Sequence, residues 1–552
     1  MSGNKASGRI TIDPVTRIEG HLKIDVELKD GVVSNAWSSA QLFRGLELIV
    51  KGRPPDDVHN YVQRTCGVCT TTHSLVSIRA VENAMGLKPP VAAELVRLLI
   101  LGTLVVHDHL VHFYHLHSLD FFDMADALKA DPVAAARLAG EVSGREAQPG
   151  DYFVVQSRLK KFVGSGQLGW LSNAYSLGGH PSYRLSPEEN LVLAANYLQA
   201  LRVQANIAKS MAIFSGKNPH SQTMRVGGVT CYDSLRPERL AEFRALHEES
   251  LEFINHNYVG DLTILGRRYP EAAAYGRTTN FLDFSDFYDP ETGKNPFFRG
   301  GIMWARDFRR VEEFDPGEIK EHVTRGWYKP SPPAHPYDGV TDPDYTGYDP
   351  DGRYSWAKAP RYKGEPMETG PLARRAMAYA RGDKETVNRL NAWFSACRLE
   401  PENLFSTMGR TAARMVEAVI LANRIPGWLD ELEARAKAGP VEIFKPWKMP
   451  DSARGVGFCA VTRGGLSHWI RIEKGRTANY QLVVPSTWNL GPRCAAGKLS
   501  PVEESLVGVS VADSDRPVEL LRTVHSFDPC IACAVHLIEA DKADATRIIR
   551  VV

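Results

Sequence analysis

The chain has 552 residues, 43% of them apolar and 24% charged, with a formal net charge of +1. That apolar content over that length can bury a substantial core, which excludes disorder and dependence on disulfides for stability. The near-neutral charge without long basic runs offers no footprint for nucleic acid, and 8 cysteines are too few for a disulfide scaffold in a chain this long.

Residues 1–9 are polar and lack the basic start, apolar stretch and small-residue cleavage site of a secretory signal, so no export signal of the chain's own is expected. The chain then reads as β over residues 10–13, 21–28 and 32–37. The last two join through Lys29-Asp30-Gly31, where Asp-Gly is hairpin-turn chemistry. Apolar residues next recur at three and four positions over residues 71–87 and 91–128, the helical period. The most apolar stretch, 98–106, is broken by His107, Asp108 and His109, well short of the roughly 20 residues a spanning helix needs, so no membrane insertion is expected.

Further helices are predicted over 187–214, 237–257, 385–397 and 411–438, all rich in Ala, Leu, Glu and Arg. Between residues 283 and 370 the chain is dense in Pro, Gly, Asp, Tyr and Trp. Its aromatics argue against disorder, so a long ordered excursion over the surface is predicted, facing a partner or forming an ordinary large loop. Short strands follow near 455–460, 469–472 and 480–484. No Gly/Ser linker, low-complexity tract or repeat marks a boundary. The expectation is one large unit over residues 1–552 with an α+β, mainly helical fold: a large helical bundle core with small peripheral β-sheets.

Four cysteines form two C-x-x-C pairs. The first lies in Arg64-Thr65-Cys66-Gly67-Val68-Cys69-Thr70-Thr71-Thr72-His73, and the second in His525-Ser526-Phe527-Asp528-Pro529-Cys530-Ile531-Ala532-Cys533-Ala534-Val535-His536. A spacing of three lets two sulfurs point at one ion from a single turn, and two such turns make an S4 site for a thiophilic metal. About 460 residues separate the pairs, against roughly 15 to 20 in a zinc ribbon. Spacing alone leaves three readings open: a buried metal centre, structural zinc, or two unrelated pairs. Cys231, Cys397, Cys459 and Cys494 are isolated and read as small apolar packing residues.

The flanking sequence narrows the choice. Along nearly its whole length the chain resembles the large subunits of respiratory, uptake-type nickel-iron hydrogenases. The resemblance rests on Asp13-Pro14-Val15-Thr16-Arg17-Ile18-Glu19-Gly20-His21, both cysteine segments, His107-Asp108-His109, Lys217-Asn218-Pro219-His220, Leu466-Ser467-His468-Trp469 and Val484-Pro485-Ser486-Thr487, in that family's order. It implies a centre in which Cys66, Cys69, Cys530 and Cys533 bind nickel, Cys69 and Cys533 also bridging to an iron that carries carbon monoxide and cyanide. Soft thiolates suit such a metal, and an open position between the metals would let H2 split into hydride and proton.

By the same resemblance Glu19 relays protons from the second pair. Arg463 is suspended above the metals with Asp108 and Asp528 around it. Pro485 and Ser486 line the pocket of the diatomic ligands, and His73 donates to a bridging cysteine sulfur. Where the family has proline before the arginine, this chain has Thr462. Glu47, the carbonyl of Leu482 and His536 match a site for magnesium or a similar hard cation.

No remaining cysteine pattern could hold an iron-sulfur cluster, so a small subunit carrying the clusters is implied, in at least a heterodimer. The resemblance further implies nickel-insertion proteins and a maturation endopeptidase that removes residues 537–552. It places the chain in the periplasm or on the periplasmic face of the membrane through its partner. The expected activity is reversible oxidation of H2. A regulatory H2-sensing hydrogenase is the alternative, followed by a nickel-free relative in the quinone-reductase lineage and a structural zinc protein.

Overall fold

Strands β1 (Gly8–Ile12), β2 (Leu22–Lys29) and β3 (Val32–Ala40) form an antiparallel sheet in that order. Lys29 pairs with Val32 across a two-residue turn in which Asp30 and Gly31 have φ of 54° and 76°, the left-handed values that make Asp-Gly a hairpin turn. The computed structural model describes residues 7–166 and 180–534, without the side chains of Thr70, Cys533 and Ala534. The sheet buries Leu22, Ile24 and Val26 against Leu520, Leu521, Val524 and Phe527, so the chain's first sheet carries its last helices.

Helix α1 (Leu46–Ile49) is a single turn, and α2 (Thr70–Met85) starts at Cys69. Helix α3 (Val91–Val111) is shorter than the predicted 91–128 because the chain widens into a π-helical segment, His112–His117, and then a 3-10 turn. The widening turns His112 and His117 toward the carbonyls of His525 and Arg522, to which their Nε2–H groups donate at 2.6 and 3.1 Å. Helices α4 (Pro132–Ser143) and α5 (Pro149–Gly164) were not anticipated, although Pro at N1 and the Asp131 cap on Val133 N–H mark the start of α4. Helices α6 (Pro187–Ser215) and α7 (Pro237–Phe253) follow. The latter runs through a second π segment, Ile254–Tyr258, into α8 (Val259–Arg268) and so outlasts the predicted end at 257.

Residues 283–370 hold only short strands, as composition suggests, but they are not superficial. Trp327, Tyr354 and Arg361 are fully buried, and the segment reaches inward with Glu321 and Lys358. Beyond it lie α9 (Pro371–Ala380), α10 (Lys384–Cys397) and α11 (Thr407–Ala438). Helices α3, α6, α7 and α11 pack on one another as the predicted central bundle.

Strands β4 (Ser452–Val461), β5 (Gly464–Glu473) and β6 (Arg476–Val483) form a second antiparallel sheet, on which α2 lies. Gly455 and Gly457 permit that contact, since a Cβ at either would come within 2.1 Å of Ala80 O or 2.0 Å of Val76 O. Helices α12 (Pro485–Leu490), α13 (Val518–Ser526) and α14 (Ile531–Ala534) complete the described chain. No helix among the described residues is long and apolar enough to cross a membrane.

Candidate metal centre

Three remote segments meet at the sulfurs. Cys66 and Cys69 sit in the turn before α2, where the N–H groups of Val68 and Cys69 donate to Cys66 Sγ at 3.2 and 3.1 Å. Cys530 follows α13 after Asp528, whose φ of 54° is a left-handed value that Asp tolerates, turning the chain inward. The third segment carries Glu19, which forms a parallel bridge with Cys530 and accepts Ile531 N–H on its carbonyl at 2.7 Å. Gly20 makes this approach possible: its φ is 89°, and a Cβ there would lie 2.6 Å from Ala532 N.

The Sγ atoms of Cys66, Cys69 and Cys530 lie within 4.8 Å of one another and are buried. Cys66 and Cys530 sulfurs stand 3.3 Å apart, beyond the roughly 2.05 Å of an S–S bond and close enough to share an ion. Cys533 is the third residue of the one-turn helix α14, but its side chain is outside the described atoms, as are His536 and residues 537–552 altogether. The donor set is soft and buried, which suits a thiophilic metal and no hard cation.

Glu19 Oε2 accepts from Cys530 Sγ–H at 3.4 Å and from Ala532 N–H at 3.1 Å. Burial, with the Cys66 sulfur adding to it, pushes the Glu19 carboxyl above its ordinary value. Across the sulfurs, Arg463 stands at the tip of the β4–β5 hairpin, where Val461 pairs with Gly464 around Thr462 and Arg463. Hairpin tips usually face water. This one is buried, with Thr462 at 0% and Arg463 at 4% exposure.

Arg463 donates through Nε to Asp528 O and through Nη2 to Asp528 Oδ1, both at 3.0 Å. Asp108, on α3, lies farther off, its Oδ2 at 3.8 Å from Nη1. Burial works against the Arg463 charge, but Asp528 and the surrounding sulfurs outweigh it and hold the guanidinium well above its ordinary value. Burial raises the Asp108 carboxyl against the pull of His107 and Arg463.

Ser486, in the first turn of α12 after Pro485, accepts Cys530 N–H at 3.2 Å, so the predicted pocket residues adjoin the sulfurs. His73 lies one turn into α2 and is pushed down to about 4 by burial, hence neutral. Its hydrogen bond runs to His468 Nε2 at 3.1 Å, and His468 in turn meets Tyr480 Oη at 2.8 Å. Sequence gave no hint of Arg414, a buried arginine that donates to Ser526 O at 2.7 Å and is pushed down to about 10 by burial. It stands behind Asp528 as a second cation.

Glu47 and Leu482, two of the three residues expected at a hard-cation site, line a separate cavity of about 20 Å³ together with Glu321, Lys358 and Thr341. Glu47 accepts Leu482 N–H at 2.8 Å and Lys358 Nζ at 3.1 Å, and the Thr341 hydroxyl also donates to it. Glu321 was missed, since nothing in its irregular segment marks it. Both its oxygens are buried without a hydrogen bond among the described residues, and burial pushes it up to about 7 despite Lys358 at 3.7 Å. Two carboxylates beside a water-sized space are the oxygen donors a hard cation takes, and here the Lys358 ammonium stands between them.

Cys231 and Cys397 are buried thiols raised to about 11 and 12 by burial, in keeping with packing roles. Burial also pushes Cys494 up, but the Arg361 guanidinium and the N–H groups of Lys498 and Ala496 outweigh it and bring that thiol below its ordinary value.

The profile of the family described as nickel-dependent hydrogenase matches residues 44–536, and one described as HoxL-like matches residues 9–38. The quinone-reactive Ni/Fe-hydrogenase large chain of Wolinella succinogenes is 42% identical, over 96% of each chain. The uptake hydrogenase large subunit of Bradyrhizobium diazoefficiens is 40% identical, over 98% of this chain and 97% of its own. Among solved structures, the NiFeSe hydrogenase of Dm. baculatum superimposes with a TM-score of 0.79 at 31% identity, covering 96% of this chain and all of that one.

Proposed function

The chain belongs to the nickel-dependent hydrogenase family, and from that premise we propose how its own residues serve the oxidation of H2. It is the large chain of a nickel-iron hydrogenase and works with a small-subunit partner. When bound by Cys66, Cys69, Cys530 and Cys533, a nickel-iron centre with carbon monoxide and cyanide on its iron would supply the open coordination position for heterolysis of H2.

Glu19 takes the proton. Its Oε2 faces Cys530 Sγ at 3.4 Å, within reach of a proton leaving that sulfur, and burial raises its carboxyl above the ordinary value. Arg463 presents a fixed cation over the sulfurs, Asp528 clamps it from one side, and Asp108 balances it from the other. Ser486 orients Cys530 through its N–H, beside Pro485, in the wall of the diatomic-ligand pocket. His73, held neutral by burial and with its Nδ1 against His468 Nε2, is assigned to donate to a bridging cysteine sulfur through its other ring nitrogen. A magnesium or similar ion belongs with Glu47, the Leu482 carbonyl and His536, and the cavity that Glu47, Leu482 and Glu321 line together supports it. We also assign iron-sulfur clusters to the partner, nickel insertion and removal of residues 537–552 to maturation proteins, and a periplasm-facing location to the complex. Nothing observed favours a regulatory H2-sensing role over turnover.

The gathering of Cys66, Cys69 and Cys530 within 4.8 Å, with Glu19 against one of them, carries the proposal. Its test is H2-dependent dye reduction by the purified complex, together with metal analysis and infrared spectroscopy. Nickel, iron and metal-bound carbon monoxide and cyanide bands are expected. Zinc alone, with no such bands, would overturn it.

A further inference from the structure

Arg463 is held asymmetrically. Two of its nitrogens bind Asp528, whereas the buried Nη1 has no hydrogen-bond acceptor among the described residues. The obvious acceptor is Asp108 Oδ2, but it stands 3.8 Å away, about 0.9 Å beyond the distance of a charge-assisted bond. What occupies that oxygen is Thr462, whose hydroxyl donates to it at 3.2 Å. The other oxygen of Asp108 meets His107 Nδ1 at 3.3 Å, and His107 Nε2 reaches Gln204 Oε1 at 3.2 Å. Apart from Thr462 and Arg463, the one side chain bonded to this carboxylate among the described residues is His107 of its own helix, and the Asp528 carboxylate on the far side of Arg463 repels it.

We propose that Thr462 is a positioning residue for Arg463: its hydroxyl tethers Asp108 and so leaves Nη1 of the guanidinium, which stands among the cysteine sulfurs, without an acceptor. The physical reason is placement: Oδ2 could accept from both donors, but the hydroxyl bond holds it 3.8 Å from Nη1. A buried carboxylate oxygen that loses its donor must find another. The nearest candidate is Nη1, from the adjacent residue of the same turn. A Thr462 without its hydroxyl would let Asp108 and Arg463 close into a second ion pair, with the guanidinium pinned between two carboxylates and drawn toward α3. This rests on Arg463 acting at the reacting atoms, as proposed above.

The test compares Thr462→Val, Thr462→Ala and Thr462→Ser in the purified two-subunit enzyme. Crystal structures of the Val and Ala variants should show Asp108 Oδ2 to Arg463 Nη1 shortened from 3.8 Å to about 2.9 Å, whereas Ser keeps the long distance. In H2 oxidation the Val and Ala variants should lose about tenfold in kcat with KM for H2 within about twofold, and Ser should restore kcat. Either of the two alkyl variants suffices if the other does not fold. An unchanged 3.8 Å separation, or a Ser variant as slow as Val, overturns the proposal. A shortened distance in a protein whose wild type oxidises no H2 would leave the tether standing and remove the hydrogenase reading instead.

Discussion

Glu19 Oε2 accepts from both Cys530 Sγ and the backbone N–H of Ala532, so one carboxylate grips the sulfur and the turn that carries it. Glu19→Gln keeps an acceptor for Ala532 N–H but loses the proton-accepting group. The variant should fold and hold its nickel, while H2 oxidation per nickel falls by about 10²–10⁴. Retention of more than half the wild-type rate in a dye-reduction assay would remove Glu19 from the proton path.

Cys530→Ser replaces a soft donor with a hard one in a buried sulfur cluster. Purified protein should lose nickel, measured by elemental analysis, while its circular dichroism is unchanged. Full nickel content in the variant would count against the assigned ligand set.

Stability should depend on pH through Asp261, buried on α8 between Tyr114 Oη at 2.7 Å and Asn196 Nδ2 at 2.8 Å. Burial pushes its carboxyl up to about 7, against the pull of both hydrogen bonds. An unfolded aspartate ionises near about 3.9, so between these values the folded state holds a proton that the unfolded state has lost. Stability from this group is therefore full at the acid end and declines as pH rises toward 7, by at most about 4 kcal/mol. Asp261→Asn should flatten that slope in chemical denaturation followed from pH 5 to 7.

At the second cavity, magnesium bound only by the folded chain should raise the unfolding temperature, by the linkage of ligand binding to folding. Glu47→Gln removes a carboxylate that accepts from Leu482 N–H and Lys358, and its melting should no longer respond to the ion. An equal response in both proteins would place the ion elsewhere.

The Arg410–Glu368 pair is fully buried and bidentate, with Nε and Nη2 each 2.8 Å from a carboxylate oxygen and the guanidinium 3.9 Å above the Phe527 ring. Arg410→Ala strands a buried carboxylate beneath the residue that precedes Asp528. It should cost about 3–5 kcal/mol in an unfolding titration. A cost near zero would show that this pair plays no part in holding the Asp528 turn.

Local chemistry was legible where local chemistry decides the structure. Asp30-Gly31 marked its hairpin, the helical period marked α2 and α3, and the motifs around Cys66 and Cys530 marked the sulfur site before any fold was known. What escaped depends on tertiary contact. The π widening at His112–His117 exists to meet carbonyls of residues more than 400 positions away. Glu321 and Lys358 lie in a segment whose composition suggests only an irregular path, and their meeting with Glu47 is set by packing. Thr462 stood out as a departure from the family pattern. That its hairpin tip points inward could not be read from a two-residue turn, because identical turns commonly face water.

The bridge between Glu19 and Cys530 joins positions 511 residues apart, near opposite ends of the described chain. During synthesis Cys66 precedes Cys530 by 464 positions, so the first cysteine pair waits with half a ligand set until the second segment arrives. Closing so long a loop carries an entropy cost that local segments do not face. The centre thus closes only when the Cys530 segment arrives, and a chain interrupted between the last bundle helix, which ends at Ala438, and Cys530 would hold Cys66 and Cys69 with half a ligand set.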